Sequence, residues 1–457
     1  MPDTIAPVPL MPGLRPATGA SPPLVRWPGQ VLSQADLLAQ AVGLAAALPP
    51  APYVINLCED RGLFILALCA ALVRGVQTLL PPNRLVHSIE EIVAAYPGAL
   101  CLSDSPVAGL SPPAWLVAAP ADPAAARPPL PPLAQAPVIA AAWEAILVFT
   151  SGSTGKPQPH PKRWGDVMTC AAVAARRFGI GPATTVVATV PPQHMYGLEL
   201  SVAVPLAVGA AVDAGRPFFP EDLRLALARV PAPRVLVTTP IHLAACVDAM
   251  GDWPEVALVI SATAPLSGEL AGLVEERLGT RVCEIYGCTE AGSIASRRTL
   301  DGPHWQWYDS ASAAAQGERC AVTADFLPAP VPLTDILKLH DDGTFQLLGR
   351  GSDMVKIAGK RASLADLNLR LNAIPGVTDG VFVIPAGAGP EVRRLAVIAV
   401  APGLDRAALL AALRERIDPC FLPRTLVLVD RLPRNETGKC PRERLLELVQ
   451  ARGGGAR

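Results

Sequence analysis

The chain has 457 residues, of which 51% are hydrophobic and 17% are charged, and its formal net charge is -1. Because a single hydrophobic core stops growing at roughly 250–300 residues, this length predicts two or more domains. The near-neutral charge provides no basic surface for nucleic acid or anionic membranes, so neither is expected as a partner.

Targeting signals and disulfides are not expected either. The ten cysteines are scattered without a C-x-x-C pair, and residues 1–16 lack a basic segment followed by an apolar one. This pattern predicts a cytoplasmic protein with reduced thiols. The longest apolar run, 200–212, contains Pro205 and is shorter than the roughly 20 residues of a membrane span, so we expect a buried segment and no membrane span.

The first part of the chain predicts parallel α/β structure. Residues 1–30 are rich in proline and are expected to wrap the surface. Ser33 is the predicted N-cap of a helix that ends near Leu48, with Asp36 at its third position. The elements that follow have the spacing of a parallel β-α-β unit: a strand over 53–58, a helix over 62–75 and a strand over 77–80.

The middle of the chain alternates between an irregular segment and further α/β structure. Residues 103–137 are mainly proline and alanine and predict an irregular connection, with one apolar island at 114–117. The α/β pattern then resumes, with predicted strands over 184–190, 235–238 and 258–261 and a helix over 268–278. From Trp305 the pattern changes to short strands and turns, such as the strand 345–348 after the turn 341–343.

The remainder predicts a smaller α+β unit with strands over 381–384, 395–400 and 425–429 and helices over 405–417 and 441–449. The expected fold is therefore α/β, in two domains. Residues 1–352 form a large domain of parallel-rich α/β sheets with a small barrel-like β part. Residues 353–457 form a small, mobile α+β domain.

A phosphate-binding loop is predicted after the strand-like run 146–149. Thr150-Ser-Gly-Ser-Thr-Gly-Lys156 combines glycines, which let the backbone approach an anion, with hydroxyl donors and a cation. It is not a Walker A loop, which requires a glycine at the position of Thr150 and a Ser or Thr at that of Pro157. Taken alone, the segment could also be a surface turn.

Three further motifs follow in order: Tyr286-Gly-Cys-Thr-Glu290, the segment Gly349–Gly359, and the segment Leu432–Lys439. Each alone could be a turn or a solvated loop. Together with the phosphate loop they resemble the adenylate-forming superfamily, which contains acyl-CoA and aryl-CoA ligases, luciferases and the adenylation domains of peptide synthetases. The resemblance covers roughly Tyr53 to the C-terminus. It implies an acid-thiol ligase that joins a carboxylate to ATP, releases pyrophosphate and passes the acyl group to a thiol.

The resemblance also implies a nucleotide site. The β- and γ-phosphates would be held by Thr150, Ser151, Gly152, Ser153, Thr154, Gly155 and Lys156. The α-phosphate would contact Thr289, and Glu290 would bind Mg²⁺, a hard cation that prefers oxygen ligands. The adenine would pack between the strand end at Ala262, Thr263 and Ala264 and the Tyr286-Gly287 segment. The ribose would contact Asp335 and Arg350, although Leu333-Thr334 replaces the usual Thr-Gly before this aspartate.

By the same resemblance, Lys439 is the catalytic residue of the first half-reaction, where its ammonium stabilises charge developing between carboxylate and nucleotide. Asp353 matches the hinge about which the small domain rotates. After rotation, the loop around Gly359 would replace Lys439 at the site and admit the thiol.

By the same resemblance, the acid is expected to bind near His194, which lies in Pro191-Pro-Gln-His-Met-Tyr-Gly197. His194 would either gate the pocket or pair with the substrate carboxylate. Candidate pocket residues are His194, Met195, Tyr196, Glu199, Ser261 and Ile285. Amino-acid-activating members of this superfamily have an aspartate in this region that pairs with the substrate's amine. Between residues 190 and 212 this chain has no aspartate and its only carboxylate is Glu199, so the resemblance does not predict an amino acid substrate.

The compact chain resembles stand-alone ligases that load hydroxybenzoate-type acids onto a carrier protein, and the acceptor is expected to be a separate carrier protein or CoA. Two alternatives remain: a fatty acyl ligase, and a nucleotide-binding regulatory relative without catalysis. A hydrolase is disfavoured because the sequence has no G-x-S-x-G motif.

Overall fold

The computed structural model describes residues 7–13, 21–111, 114–117, 137–151, 157–316, 319–350, 354–357, 360–385, 395–434 and 440–453. Helices and strands are numbered in chain order. No helix in these ranges is both long and apolar enough to cross a membrane.

One six-stranded sheet carries the predicted phosphate loop. Its strands are β4 (Tyr53–Asn56), β5 (Gln77–Leu80), β6 (Leu100–Ser103), β7 (Trp115–Leu116), β9 (Glu144–Ser151) and β10 (Pro157–Arg163). Their spatial order is β10-β9-β5-β4-β6-β7, and only the β9–β10 pair is antiparallel. The predicted parallel β-α-β unit is confirmed. The apolar island pairs with β6 as a strand, so the prediction of an irregular connection is wrong there.

The helices of this region are α1 (Gln34–Ala47), α2 (Arg61–Arg74) and α3 (Val86–Ala95). The cap of α1 is as predicted, with the Ser33 hydroxyl accepting a hydrogen bond from the Asp36 amide at 3.1 Å. Nearly every side chain of α2 is buried, because the helix packs in one hydrophobic cluster with residues of two sheets.

An eleven-stranded mixed sheet forms the larger part of the chain. Its strands are β2 (Pro23–Trp27), β3 (Gln30–Ser33), β11 (Thr185–Ala188), β12 (Ala211–Asp213), β13 (Arg234–Thr238), β14 (Leu258–Ser261), β15 (Arg281–Cys288), β16 (Gly292–Arg298), β17 (His304–Trp307), β21 (Asp335–Leu339) and β22 (Thr344–Arg350). The order is β21-β22-β17-β16-β15-β14-β13-β11-β12-β2-β3, and the strands from β15 to β2 are parallel.

The helices associated with this sheet are α4 (Trp164–Phe178), α5 (Met195–Leu198), α6 (Val204–Val208), α7 (Pro220–Arg229), α8 (Pro240–Asp248) and α9 (Gly268–Leu278). A π-helical turn, Glu199–Ala203, joins α5 to α6. The apolar run from Leu200 to Val212 is mostly buried, as predicted, but it is helical before it reaches β12. The expectation that residues 1–30 wrap the surface is wrong for β2, where Leu24 and Val25 are completely buried.

The remaining strands form small sheets. A two-stranded sheet joins β1 (Val8–Pro9) to β8 (Val138–Ile139), and an antiparallel three-stranded sheet contains β18 (Ser312–Gln316), β19 (Arg319–Thr323) and β20 (Val331–Pro332). The latter lies in the region expected to be barrel-like.

The C-terminal segment has its own sheets and hydrophobic clusters. It contains the hairpin β23 (Met354–Ile357) and β24 (Lys360–Ser363), the sheet β25 (Asp379–Val383), β26 (Ala396–Val400) and β27 (Thr425–Leu428), and the helices α10 (Leu364–Asn372), α11 (Arg406–Arg414) and α12 (Arg442–Gly453).

Candidate active site

Two predicted adenine-binding segments meet at one edge of the eleven-stranded sheet. β14 and β15 are parallel neighbours, with Ser261 in register with Glu284. Neighbouring parallel strands end at the same edge, which is where open α/β sheets bind ligands. Ala262, Thr263 and Ala264 therefore lie next to the end of β15, which carries Tyr286 and Gly287.

Tyr286 is fixed on both its ring and its hydroxyl. The residue is 7% exposed, and the centre of its ring lies 5.8 Å from that of the Trp305 ring and 5.7 Å from that of the Phe345 ring. Its hydroxyl donates to Asp335 Oδ2 at 2.9 Å. Asp335 in turn is paired in register with Arg350 across β21 and β22. The structure thus brings the predicted ribose residues to the predicted adenine residue.

Thr263 adopts a backbone conformation that is costly for its type. Its φ is +79°, in the left-handed region that β-branched residues avoid. Such strain costs on the order of 1–3 kcal/mol and persists where surrounding structure imposes it, often at binding sites. Its location in the predicted adenine segment fits that pattern.

The turn between β15 and β16 presents Thr289 and Glu290. A Cβ atom on Gly287 would lie 2.1 Å from the carbonyl oxygen of Gly292, so this position has no room for a side chain. Gly292 itself has a φ of +75°. The two glycines make the tight hairpin possible, with Thr289 half-buried and Glu290 exposed at its tip.

The phosphate loop is the connection between β9 and β10. These strands are antiparallel, with Thr150 opposite Gln158 and Ser151 opposite Pro157. Gly152, Ser153, Thr154, Gly155 and Lys156 lie outside the described residues, so their predicted phosphate contacts stay predictions.

Two residues on β10 that the sequence analysis missed reach the Glu290 turn. His160 Nε2 lies 3.0 Å from Thr150 Oγ1, and His160 Nδ1 lies 3.8 Å from Glu290 Oε1. Two positions further on, Lys162 Nζ donates to the carbonyl oxygen of Glu290 at 2.7 Å. Burial lowers the pKa of both His160 and Lys162. His160 and Lys162 are two residues apart on the strand that follows the phosphate loop, so their side chains lie on the same face of that strand. This spacing is the sequence signal that could have identified them.

The carboxylate of Glu290 suits a magnesium ion held jointly with a nucleotide. Within the described ranges, no cluster of three or more His, Cys, Asp or Glu side chains could hold a metal by itself. Mg²⁺ is commonly bound by one or two carboxylates together with substrate phosphates, so a dedicated cluster is not required. The Glu290 side chain is 51% exposed and lies beside the strand pair that carries the phosphate loop.

The predicted acid-binding segment is rigidly held. His194 is the N-cap of α5, and the preceding Gln193 amide donates to the carbonyl oxygen of Cys58 at 2.5 Å. A Cβ atom on Gly197 would lie 2.0 Å from the carbonyl oxygen of Pro191. His194, Met195 and Tyr196 are half-buried.

Tyr196 is a pocket candidate whose hydroxyl is already engaged. It donates to the carbonyl oxygens of Thr238 at 3.0 Å and Ile260 at 2.8 Å, near the ends of β13 and β14. Burial raises the pKa of Tyr196 well above its ordinary value. Ser261 lies at the end of β14 and is completely buried, and Ile285 on β15 is half-buried.

Glu199 is buried next to the Glu290 turn. Its Oε2 accepts from the Ser293 amide at 2.9 Å, and its Oε1 accepts from the Ser293 hydroxyl. Burial raises the pKa of Glu199, while these hydrogen bonds and the charge of Lys162 oppose that shift. Glu199 therefore ties the π-helical turn to the first residues of β16.

Arg61 is a third residue that sequence reasoning missed. It is completely buried at the start of α2, and its guanidinium donates to Ser201 Oγ and to the carbonyl oxygens of Ala188, Val190 and Gly215. Burial lowers its pKa to about 10, and Asp213 and Asp60 oppose the shift. The residue fixes the backbone immediately before the His194 segment.

Lys439 and Asp353 lie outside the described residues, so the predictions of a catalytic lysine and a hinge stay predictions. Arg434, the last described residue before Lys439, is held within the C-terminal part. Arg434 donates from Nε to Asp379 Oδ2 at 2.8 Å and from a terminal nitrogen to Oδ1 at 2.5 Å.

The sequence profile of the AMP-binding enzyme family matches residues 52–351. The chain belongs to this family. The match contains the phosphate loop, the Tyr286–Glu290 motif, Asp335 and Arg350. Membership confirms the resemblance drawn from the sequence motifs.

Individual relatives agree with this assignment. The 4-coumarate-CoA ligase of Halorhodospira halophila is 32% identical over 308 residues, which is 64% of this chain and 74% of that protein. The sulfoacetate-CoA ligase of Cupriavidus necator is 26% identical over 458 aligned positions, 89% of this chain and 88% of the relative.

The O-succinylbenzoate-CoA synthetase of Bacillus subtilis in complex with AMP matches with a TM-score of 0.76 over 93% of this chain and 95% of that one, at 17% identity. The same synthetase is also solved with ATP and a magnesium ion. This likeness confirms the predicted α/β fold. The AMP-binding enzyme is thus a ligase that uses ATP to activate an acid by way of an adenylate.

Proposed function

We propose that this enzyme activates a hydroxybenzoate-type aryl acid with ATP and Mg²⁺, releases pyrophosphate, and transfers the acyl group to a thiol of a carrier protein or CoA. The observation that carries the proposal is the grouping of Tyr286, Asp335 and Glu290 beside the strands of the phosphate loop. We also propose that this occurs in the cytoplasm, where the ten cysteines, all free in the structure, would stay reduced.

In this proposal the protein supplies position and charge. Asp335 holds the ribose, the Thr150 end of β9 starts the phosphate site, and Glu290 binds Mg²⁺, which would neutralise phosphate charge. Magnesium in the related Bacillus subtilis synthetase supports that part. Lys439 would stabilise the charge that develops as the carboxylate attacks the α-phosphate.

The surroundings of Gly292 support a short acid over a fatty acid. A Cβ atom on this glycine would lie 3.3 Å from Glu199 Oε2, 3.4 Å from Cys170 Sγ and 3.6 Å from Met195 Cε. A buried carboxyl group, a buried thiol and the end of the Met195 side chain therefore crowd around Gly292. A long alkyl chain requires a continuous apolar tunnel, whereas a flat aromatic acid fits a shallow slot. The relative named 4-coumarate-CoA ligase also points to an aryl acid.

The predicted division into two domains is part of this proposal, because it would allow transfer in a second step. We propose that residues 353–457 rotate about Asp353 after adenylation, so that the loop around Gly359 replaces Lys439 and the thiol enters. The separate sheets and hydrophobic clusters beyond residue 353 suit a unit that moves as a body.

The test is pyrophosphate release with ATP and Mg²⁺ over benzoates, hydroxybenzoates, cinnamates and fatty acids of graded length. We expect activity with hydroxybenzoates or cinnamates. Activity only with fatty acids of about eight carbons or more would overturn the aryl assignment, because such chains require a tunnel. No activity with any acid would favour the regulatory alternative. Repeating the assay with CoA and with a carrier protein identifies the acceptor.

A further inference from the structure

We propose that His160 is a positioning residue of the adenylation reaction, which holds the Glu290 carboxylate in a fixed place relative to the phosphate loop. Lys162 assists by holding the backbone of Glu290. The proposal concerns the ATP side of the site and does not depend on which acid is the substrate.

His160 bridges two parts of the nucleotide site that come from different sheets. Thr150 ends β9 of the six-stranded sheet, whereas Glu290 lies in the hairpin between β15 and β16 of the eleven-stranded sheet. The imidazole has one nitrogen 3.0 Å from Thr150 Oγ1 and the other 3.8 Å from Glu290 Oε1. One ring thus connects Thr150, which is predicted to donate a hydrogen bond to phosphate, with Glu290, the predicted metal ligand.

The strand register explains why this ring reaches Thr150. Thr150 lies opposite Gln158, and His160 lies opposite Val148, so His160 is the diagonal neighbour of Thr150 on the same face of the pair. Diagonal neighbours of an antiparallel pair are within reach of long or aromatic side chains. The 16% exposure of the His160 side chain shows that the ring is held inside the junction and does not extend into solvent.

The two ring nitrogens have contacts of different kinds. At 3.8 Å the approach to the Glu290 carboxylate is an electrostatic contact longer than a hydrogen bond, and it is favourable when Nδ1 carries the ring hydrogen. In that tautomer Nε2 accepts a hydrogen bond from the Thr150 hydroxyl. A metal-binding carboxylate oriented by a neighbouring donor is the usual arrangement, and such outer partners commonly contribute 10–100-fold to metal affinity.

Lys162 restrains the same residue through its backbone. Its ammonium donates to the Glu290 carbonyl oxygen at 2.7 Å, and the residue is only 9% exposed. On the other side of the turn, the Ser293 amide donates to Glu199. The backbone on both sides of the Glu290 side chain is thus held, and the carboxylate itself is contacted by His160 and by the Cys288 thiol.

The test compares His160→Leu, which removes both polar contacts, with His160→Gln, whose amide can restore one. Binding of a non-hydrolysable ATP analogue is measured by equilibrium dialysis in Mg²⁺ and again in EDTA, with no acid present. We expect His160→Leu to weaken binding in Mg²⁺ by about 10-fold or more, since outer partners of metal ligands have effects of this size. The loss in EDTA should be markedly smaller, and His160→Gln should lie between the two proteins.

His87→Leu is the matched control. His87 is a surface histidine, 84% exposed, whose nearest charged partner is Glu91 on its own helix. The His87→Leu variant should bind the ATP analogue with the same affinity as the unmodified protein. In the pyrophosphate release assay, His160→Leu should raise the KM for ATP while leaving the KM for the acid unchanged.

Two results would overturn the proposal. One is binding by His160→Leu within twofold of the unmodified protein in Mg²⁺. The other is an equal loss with and without Mg²⁺, since that would mean a general disturbance of the nucleotide site. If His160→Leu fails to fold, the same comparison is made with His160→Gln, for which an unchanged ratio of affinities in Mg²⁺ and EDTA contradicts the proposal.

Discussion

Replacing Arg61 with leucine tests whether one buried cation holds the active-site edge together. The substitution keeps an apolar stem but removes the donors to Ser201, Ala188, Val190 and Gly215. These acceptors are in a buried region, so water does not readily replace the lost donors.

The magnitude follows from those four contacts. A hydrogen bond from a charged donor contributes roughly 1.5–3 kcal/mol, but four bonds from one side chain are not additive. Truncating one partner of a buried charged contact costs about 3–5 kcal/mol, and we expect the free energy of unfolding to fall by that amount. With a urea slope of about 3 kcal/mol/M, the midpoint should decrease by about 1–1.7 M.

The assay is urea unfolding followed by tryptophan fluorescence, with Arg224→Leu as the control. Arg224 lies on the surface and pairs only with Glu221 three residues earlier among the described contacts, so its loss should leave the midpoint unchanged. A midpoint for Arg61→Leu that matches this control would refute the reasoning. Activity should fall as well, because Arg61 holds the backbone that leads into His194.

Three further substitutions test other parts of the site. Lys439→Ala should abolish adenylate formation yet retain thioester formation from a supplied acyl-adenylate, and equal loss of both steps in a folded variant would contradict the division of roles. Glu199→Gln should alter the pH dependence of unfolding. Burial raises the pKa of Glu199 in the folded state above its ordinary 4.5, so the folded protein retains a proton that the unfolded chain releases. The free energy of unfolding therefore falls as the pH rises from the unfolded to the folded pKa of this group. Urea midpoints over a pH series should show a smaller fall in the variant, and an identical fall in both proteins would rule out Glu199 as its source. Gly287→Ala should reduce pyrophosphate release more than 10-fold, because a Cβ atom there would overlap a backbone carbonyl group. The control is Gly272→Ala in α9, where nothing lies within 4 Å of the added Cβ atom and the free energy of unfolding should rise by about 0.5–1 kcal/mol. Normal turnover by Gly287→Ala would contradict the tight hairpin.

Local patterns predicted much of the fold. The Ser33 cap and the strand over 77–80 depend on neighbouring residues alone, and the structure has both. The positions of the motif residues were also predictable, because family motifs mark strand ends such as the one at Tyr286. What the motifs could not provide was the orientation of side chains around them.

Long-range contacts explain what the sequence did not predict. β2 is a short apolar stretch among prolines, and it becomes a strand because it pairs with β12, far along the chain. Arg61 resembles a surface arginine until four distant acceptors surround it. β10 contains Pro157, Pro159 and Pro161, which disfavour a central strand, but β10 lies at a sheet edge, where proline is tolerated. Because of these prolines, no strand was predicted over 157–163, and His160 was not identified as a site residue.

The hydroxyl of Tyr196 has a consequence for altering the specificity of the enzyme. Because it joins the carbonyl oxygens of Thr238 and Ile260, it serves as a crosslink between two strand ends and has no donor left for a substrate. In a library that randomises Tyr196, many variants would misfold and could not be tested with new acids. Met195, which lies beside it without a polar group to satisfy, is the better starting point for directed evolution of the pocket.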